Sequence, residues 1–98
     1  MADMKFRLGR IVATPGALAA LDEAGQAPEQ FLIRHQAGDW GDLDDEDRRA
    51  NDRAIAHEED PDRRDRVLSS YRTRCGTKVW VITEWDRSVT TLLLPEEY

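Results

Sequence analysis

The chain has little of what most metal-dependent, secreted and membrane proteins are built from. It has one cysteine, Cys75, in 98 residues, so no internal disulfide framework can form and a cytoplasmic setting is the simple expectation. It has two histidines, His35 and His57. With Cys75 these are the strong soft-metal candidates, and no two of them have the spacing of a ligand pair, so neither a metal site nor a cofactor is expected. A phosphate-binding glycine loop, a nucleophile elbow and a metalloprotease helix motif are all missing. No apolar run approaches the roughly 20 residues of a membrane span. The start, Met1-Ala2-Asp3-Met4-Lys5-Phe6, lacks the basic and then apolar order of a signal peptide. There are no repeats and no low-complexity tract.

Positive charge is in short supply as well. The net charge is −6, from 14 Lys/Arg and 20 Asp/Glu. Between Asp39 and Arg66 there are twelve acids and six arginines, so this middle segment holds the whole excess. Phosphate backbones are bound by net local Lys/Arg, so direct nucleic-acid binding by bulk electrostatics is argued against. A protein partner with a basic surface is compatible with this charge map, and so is a solvated acidic face that aids solubility.

What is present is 40% hydrophobic residues in periodic stretches, enough for one domain spanning residues 1–98. Lys5 to Ala13 reads as a short strand that Gly9 weakens. Thr14-Pro15 then caps and opens a helix over Ala17-Leu18-Ala19-Ala20-Leu21, and Gly25 stops it. Pro28-Glu29 opens a second helix closed by Gly38, with Phe31, Leu32 and His35 sharing one face. Gly38 to Leu43, "GDWGDL", is a compact loop anchored by Trp40. A polar third helix starts at Asp44 or Asp45 and reaches about His57, with Leu43, Ala50, Ala54 and Ile55 as a weak apolar stripe. Glu58 to Asp65 is the nearest thing to a linker.

Three strands follow: Arg66 to Thr73, Lys78 to Glu84 and Ser88 to Leu94. Alternation puts Val67, Ser69, Tyr71 and Thr73 on one face. The expected fold is α+β, with two or three N-terminal helices packed on one face of a three- or four-stranded C-terminal antiparallel meander. Open apolar edges of such a sheet would invite a homodimer.

Glu84-Trp85-Asp86-Arg87 sits between the last two strands. It reads as a charged hairpin turn, with Asp86 accepting backbone N–H groups and Arg87 paired to an acid. It also reads as a polar site with Thr83, Ser88, Thr90 and Thr91 nearby, since a carboxylate beside an arginine can bind phosphate or move protons. His35 is read as a packed histidine and Cys75 as incidental. Asn51-Asp52 are poor helix formers, read as an exposed face with a side-chain contact as the alternative.

"GDWGDL", Asn51-Asp52, "VLSSY" at Val67 to Tyr71 and "VWVITEWDRSVTTLLLPEEY" at Val79 to Tyr98 resemble a family of small, mostly uncharacterised bacterial proteins, often called hypothetical or plasmid-related, of plasmids and genomic islands. The likeness runs from about Gly9 onward, and "HEEDPDRRDR" at His57 to Arg66 is longer and more charged than the usual connection there. It implies a bacterial, intracellular, mobile-element context and carries no activity with it. The element order is also similar to that of barnase-like ribonucleases and ribonuclease toxins, a likeness of architecture alone.

Three functions are therefore set side by side. The first is an accessory interaction protein that antagonises a host defence or nucleic-acid-binding protein through its acidic segment, with Asp39, Trp40, Asp42, Asn51, Asp52, Asp86 and Arg87 as binding residues. The second is a small nuclease with Tyr71, Thr83, Glu84, Arg87 and Thr90 on the sheet. The third is an antitoxin or immunity subunit.

Overall fold

The computed structural model describes residues 4–98. Its local structure follows the start and stop signals closely. The Thr14 side chain accepts the Ala17 N–H, Pro15 opens helix α1 (Pro15–Ala24), and Gly25 closes it in the left-handed region at φ 65°. Helix α2 (Pro28–Gln36) starts on a proline as well, and the Gln30 side chain accepts the Ala27 N–H. Helix α3 (Asp45–Ala56) is capped by Asp44, whose carboxylate accepts the Asp47 N–H.

Among the described residues four strands make one sheet: β1 (Arg10–Ala13), β2 (Val67–Arg72), β3 (Lys78–Thr83) and β4 (Val89–Leu93). β2 pairs antiparallel with β3, and β3 with β4, as expected of a meander. β1 departs from the expectation of an antiparallel sheet. It pairs parallel with β4, Arg10 beside Val89 and Ala13 beside Leu92, so the sheet is mixed, in the order β1-β4-β3-β2. A parallel neighbour needs a long crossover, and here everything from α1 to β3 supplies it.

β1 is also shorter than the Lys5–Ala13 stretch suggests. Gly9 has a positive φ of 65°, and a Cβ there would collide with the backbone carbonyls of Arg87 and Ser88. Before Gly9, the Lys5 N–H donates to the Gln36 carbonyl, the Gln36 side chain donates to the Phe6 carbonyl, and Phe6 inserts into the core.

The core lies between one sheet face and helices α1 and α2. Ala17 and Leu21 of α1 and Phe31 and Leu32 of α2 meet Tyr71, Val81 and Leu92. A second cluster joins Phe6, Trp40 and Val67, with Leu43 and Ile55 at its margin. The core-facing residues of β2, Val67, Ser69 and Tyr71, are all essentially inaccessible, as strict alternation requires.

The two edges of the sheet are treated differently. Along β2, the Asn51 side chain donates to the Leu68 carbonyl at 2.6 Å and accepts the Leu68 N–H at 3.1 Å. Two residues on, Ser70 donates to the Trp40 carbonyl and accepts from the Asp42 N–H. Gly41, between them, crosses so close to Ser70 that no Cβ would fit. The β2 edge is thus closed by the "GDWGDL" loop and by one amide of α3. Among the described residues β1, at the other edge, has β4 as its single neighbour. No helix among the described residues is long and apolar enough to cross a membrane.

Candidate functional site

Two polar arrangements stand out, and they share a wall. The first is a line of hydrogen bonds through the core. His35 sits on the core face of α2 with no solvent exposure. Its Nδ1 lies 2.6 Å from the Ser69 hydroxyl and its Nε2 2.9 Å from the Thr83 hydroxyl. Thr83 Oγ1 is 2.7 Å from Thr90 Oγ1, and Thr90 donates to the Leu8 carbonyl at 2.6 Å.

The direction of the protons from Leu8 back to the imidazole follows from the end of the line. A carbonyl only accepts, so Thr90 must donate to Leu8, Thr90 then accepts from Thr83, and Thr83 accepts from Nε2–H of His35. Burial beside the Arg87 cation disfavours a second proton, so the imidazole is the neutral Nε2–H tautomer and Nδ1 accepts from Ser69. Phe6 and Trp40 enclose it edge-on at 5.1 and 5.9 Å between ring centroids. Burial, and then the nearby Arg87 cation, push its pKa down to about 3.

The second arrangement is the β3–β4 hairpin. Asp86 accepts the Ser88 N–H at 3.0 Å, and the Ser88 side chain, then this N–H, hold its carboxyl below the usual range. Arg87 takes a left-handed φ of 59°, a conformation that costs a side-chain-bearing residue about 1–3 kcal/mol. That turn swings its guanidinium inward, where it is 2% exposed. It grips Glu58 through Nε and Nη2, the latter at 2.7 Å, and Nη1 donates to the carbonyls of Asp65 and Glu84. Its cationic carbon lies 5.5 Å from the centre of the Phe6 ring. All three nitrogens are used inside the protein. Above this pair opens a cleft of about 620 Å³ lined by Lys5, Phe6, Arg64, Asp86 and Arg87 among others.

The proposed sheet-borne catalytic set does not meet at a surface. Thr83 and Thr90 are fully buried and spend their hydroxyls in the His35 line. Tyr71 is buried, donates to the Asp39 carbonyl at 2.5 Å and carries Arg34 over its ring; burial raises its hydroxyl well above its ordinary pKa. Arg87 is occupied by Glu58, and Glu84 alone of the five is exposed.

The binding set is divided as well. Trp40, Asn51 and Arg87 are buried and hold the fold. Asn51 is therefore not the exposed-face residue that its helix composition suggests; it bonds the edge of β2. Asp39 forms a 2.7 Å ion pair with Arg34, which lowers its pKa. Asp42 pairs with Arg72 at 3.4 Å, and Asp52 accepts from the Trp40 indole at 3.1 Å. The acids left facing water without a described cationic partner include Asp45, Glu46 and Asp47, the exposed first turn of α3.

Sequence reasoning missed Glu58, in what reads as a linker. His35 is the packed histidine that the sequence suggests, but the hydrogen-bond line running through it was not foreseen. The available signal was a histidine on an apolar helix face together with hydroxyl residues at core-facing strand positions. Among the described residues no group of three His, Cys, Asp or Glu side chains is placed to hold a metal ion.

No family model, no curated protein and no solved structure matches this chain.

Proposed function

We propose that this chain is a non-enzymatic interaction module that binds a protein partner with a basic surface through the acidic face formed by the loop after α2 and the first turn of α3. One observation carries the reading. The polar atoms that could have formed a sheet-borne active site are almost all consumed by internal bonds, while the segment with the charge excess is exposed along Asp42, Asp44, Asp45, Glu46 and Asp47. Three acids at the start of α3 also stabilise that helix through its dipole. Helix stability therefore explains part of the cluster. The nuclease alternative gains no support from this arrangement, because Glu84 is left without a neighbouring base or cation of the set.

The mobile-element setting belongs to the same proposal and rests on the motifs of the loop and the C-terminal strands. In that setting the acidic face would occupy the basic groove of a nucleic-acid-binding protein, as an antagonist or an immunity subunit does. The test is affinity capture from a nuclease-treated bacterial lysate with wild-type chain and with an Asp45→Lys, Glu46→Lys, Asp47→Lys variant as bait. The proposal expects a discrete basic protein on the wild type and its loss on the variant, with the near-ultraviolet circular dichroism of the packed core retained even where the first turn of α3 loses some helix. Equal capture by both baits refutes it.

A further inference from the structure

The open edge of the sheet offers a second surface of a different kind. Arg10 N–H donates to the Ser88 carbonyl and Thr14 N–H to the Leu92 carbonyl. Alternation along the strand therefore turns the N–H and C=O groups of Ile11 and Ala13 away from β4. Neither residue donates a backbone hydrogen bond elsewhere in the described chain. Ile11 is 49% exposed, a large apolar side chain at an unpaired edge. An unpaired strand edge is a template for another strand, and this protein closes its β2 edge with the Asn51 amide and the Trp40–Asp42 backbone while the outer edge of β1 has no partner among the described residues.

We propose that β1 pairs antiparallel with β1 of a second copy of this chain, about a two-fold axis at Val12. The register is set by which groups point outward. Ile11 opposite Ala13 of the second copy is a hydrogen-bonded pair on both sides of the axis, each exchanging both of its N–H···O bonds. Val12 then faces Val12 of the second copy in the close, non-hydrogen-bonded position, where β-branched side chains meet well.

The same register supplies charge complementarity. It sets Arg10 opposite Thr14 of the second copy. Thr14 Oγ1 donates to the Glu97 carboxylate at 2.5 Å, and that carboxylate also accepts the N–H groups of Leu94 and Gly16. Arg10 is exposed and makes no ion pair with a described residue. The arginine of each copy is thus delivered to a carboxylate of the other, twice by symmetry. A two-fold contact of this kind is self-complementary and closes.

The test is sedimentation velocity over a concentration series, with amide hydrogen exchange read at Ile11 and Ala13. Wild type is expected to pass from monomer to dimer with rising concentration, with slower exchange at those two amides in the dimer. Arg10→Glu places a carboxylate against Glu97 of the second copy and is expected to weaken association roughly tenfold or more. Ile11→Lys, at a side chain half exposed in the monomer, is expected to abolish association while the melting temperature stays within a few degrees. A monomer at every concentration up to the solubility limit overturns the proposal. So does a dimer that both variants leave intact and in which the Ile11 and Ala13 amides exchange as fast as in the monomer.

Discussion

Acid should destabilise this protein earlier than its carboxylates alone require, and His35 is the reason. The neutral imidazole donates to Thr83 and accepts from Ser69 in a site without solvent. Protonating Nδ1 would bury a second cation in that dry site beside Arg87, so burial, and then the Arg87 charge, lower the folded-state pKa to about 3 from 6.5. The unfolded chain binds a proton at His35 near pH 6.5 and the folded chain does not, so folding stability is complete above about pH 7 and falls as the pH drops. The limiting slope is about 1.4 kcal/mol per pH unit. Between pH 7.5 and 5.0 the loss comes to about 2 kcal/mol. It hardly depends on the folded value, provided that value lies below about 4.

Urea unfolding followed by tryptophan fluorescence at half-unit pH steps measures this. His35→Gln, which keeps an acceptor and a donor but does not titrate, should be less stable at pH 7.5 and lose the slope between pH 7 and 5. The carboxylates of Asp39 and Glu97, whose folded pKa values are lowered, also lose their stabilising contribution as the pH falls. Their effect comes at lower pH, below the window used. A wild-type stability flat from pH 7.5 to 5.0, or an identical slope in His35→Gln, would refute the reasoning.

Two further outcomes follow from the fold. Asn51→Ala leaves the Leu68 N–H and C=O without their partner and should cost about 1–3 kcal/mol in urea unfolding; concentration-dependent light scattering should rise as the β2 edge opens. Arg87→Met strands Glu58 in a largely buried site and should cost about 3–5 kcal/mol, whereas Arg87→Met combined with Glu58→Gln should recover a large part of that loss. Additive losses in the double variant would show that the pair is not coupled.

Much of the local structure was legible because its signals are local. Thr14-Pro15, Gly25 and Pro28 bracket two helices, and a capping Asp44 opens the third. The β2, β3 and β4 strands fall within a residue or so of the alternating runs that mark them. The reading of Glu84 to Arg87 as a charged turn agrees with Asp86 accepting from Ser88 and Arg87 pairing with an acid. What was not legible is long-range choice. Nothing near Arg10 says that its neighbour is Val89, because a strand's partner is selected by the whole chain. Nor does periodicity show that Glu58, 29 residues before Arg87, will reach it. Asn51 misleads for a related reason: a poor helix former in a polar helix resembles surface until the strand edge it satisfies is seen.

The strand order also bears on when the protein can fold. β4 is made after the other three strands, yet it lies inside the sheet between β1 and β3. Until it emerges from the ribosome, β1 has no neighbour at all, and the apolar sides of α1 and α2 lack Leu92 to close over. The nascent chain can form its caps and the β2–β3 hairpin, but the sheet is joined from both sides only by the final insertion of β4. Biosynthesis should therefore leave β1 idle for most of elongation, and a ribosome stalled before Val89 should display a chain that proteases cut freely.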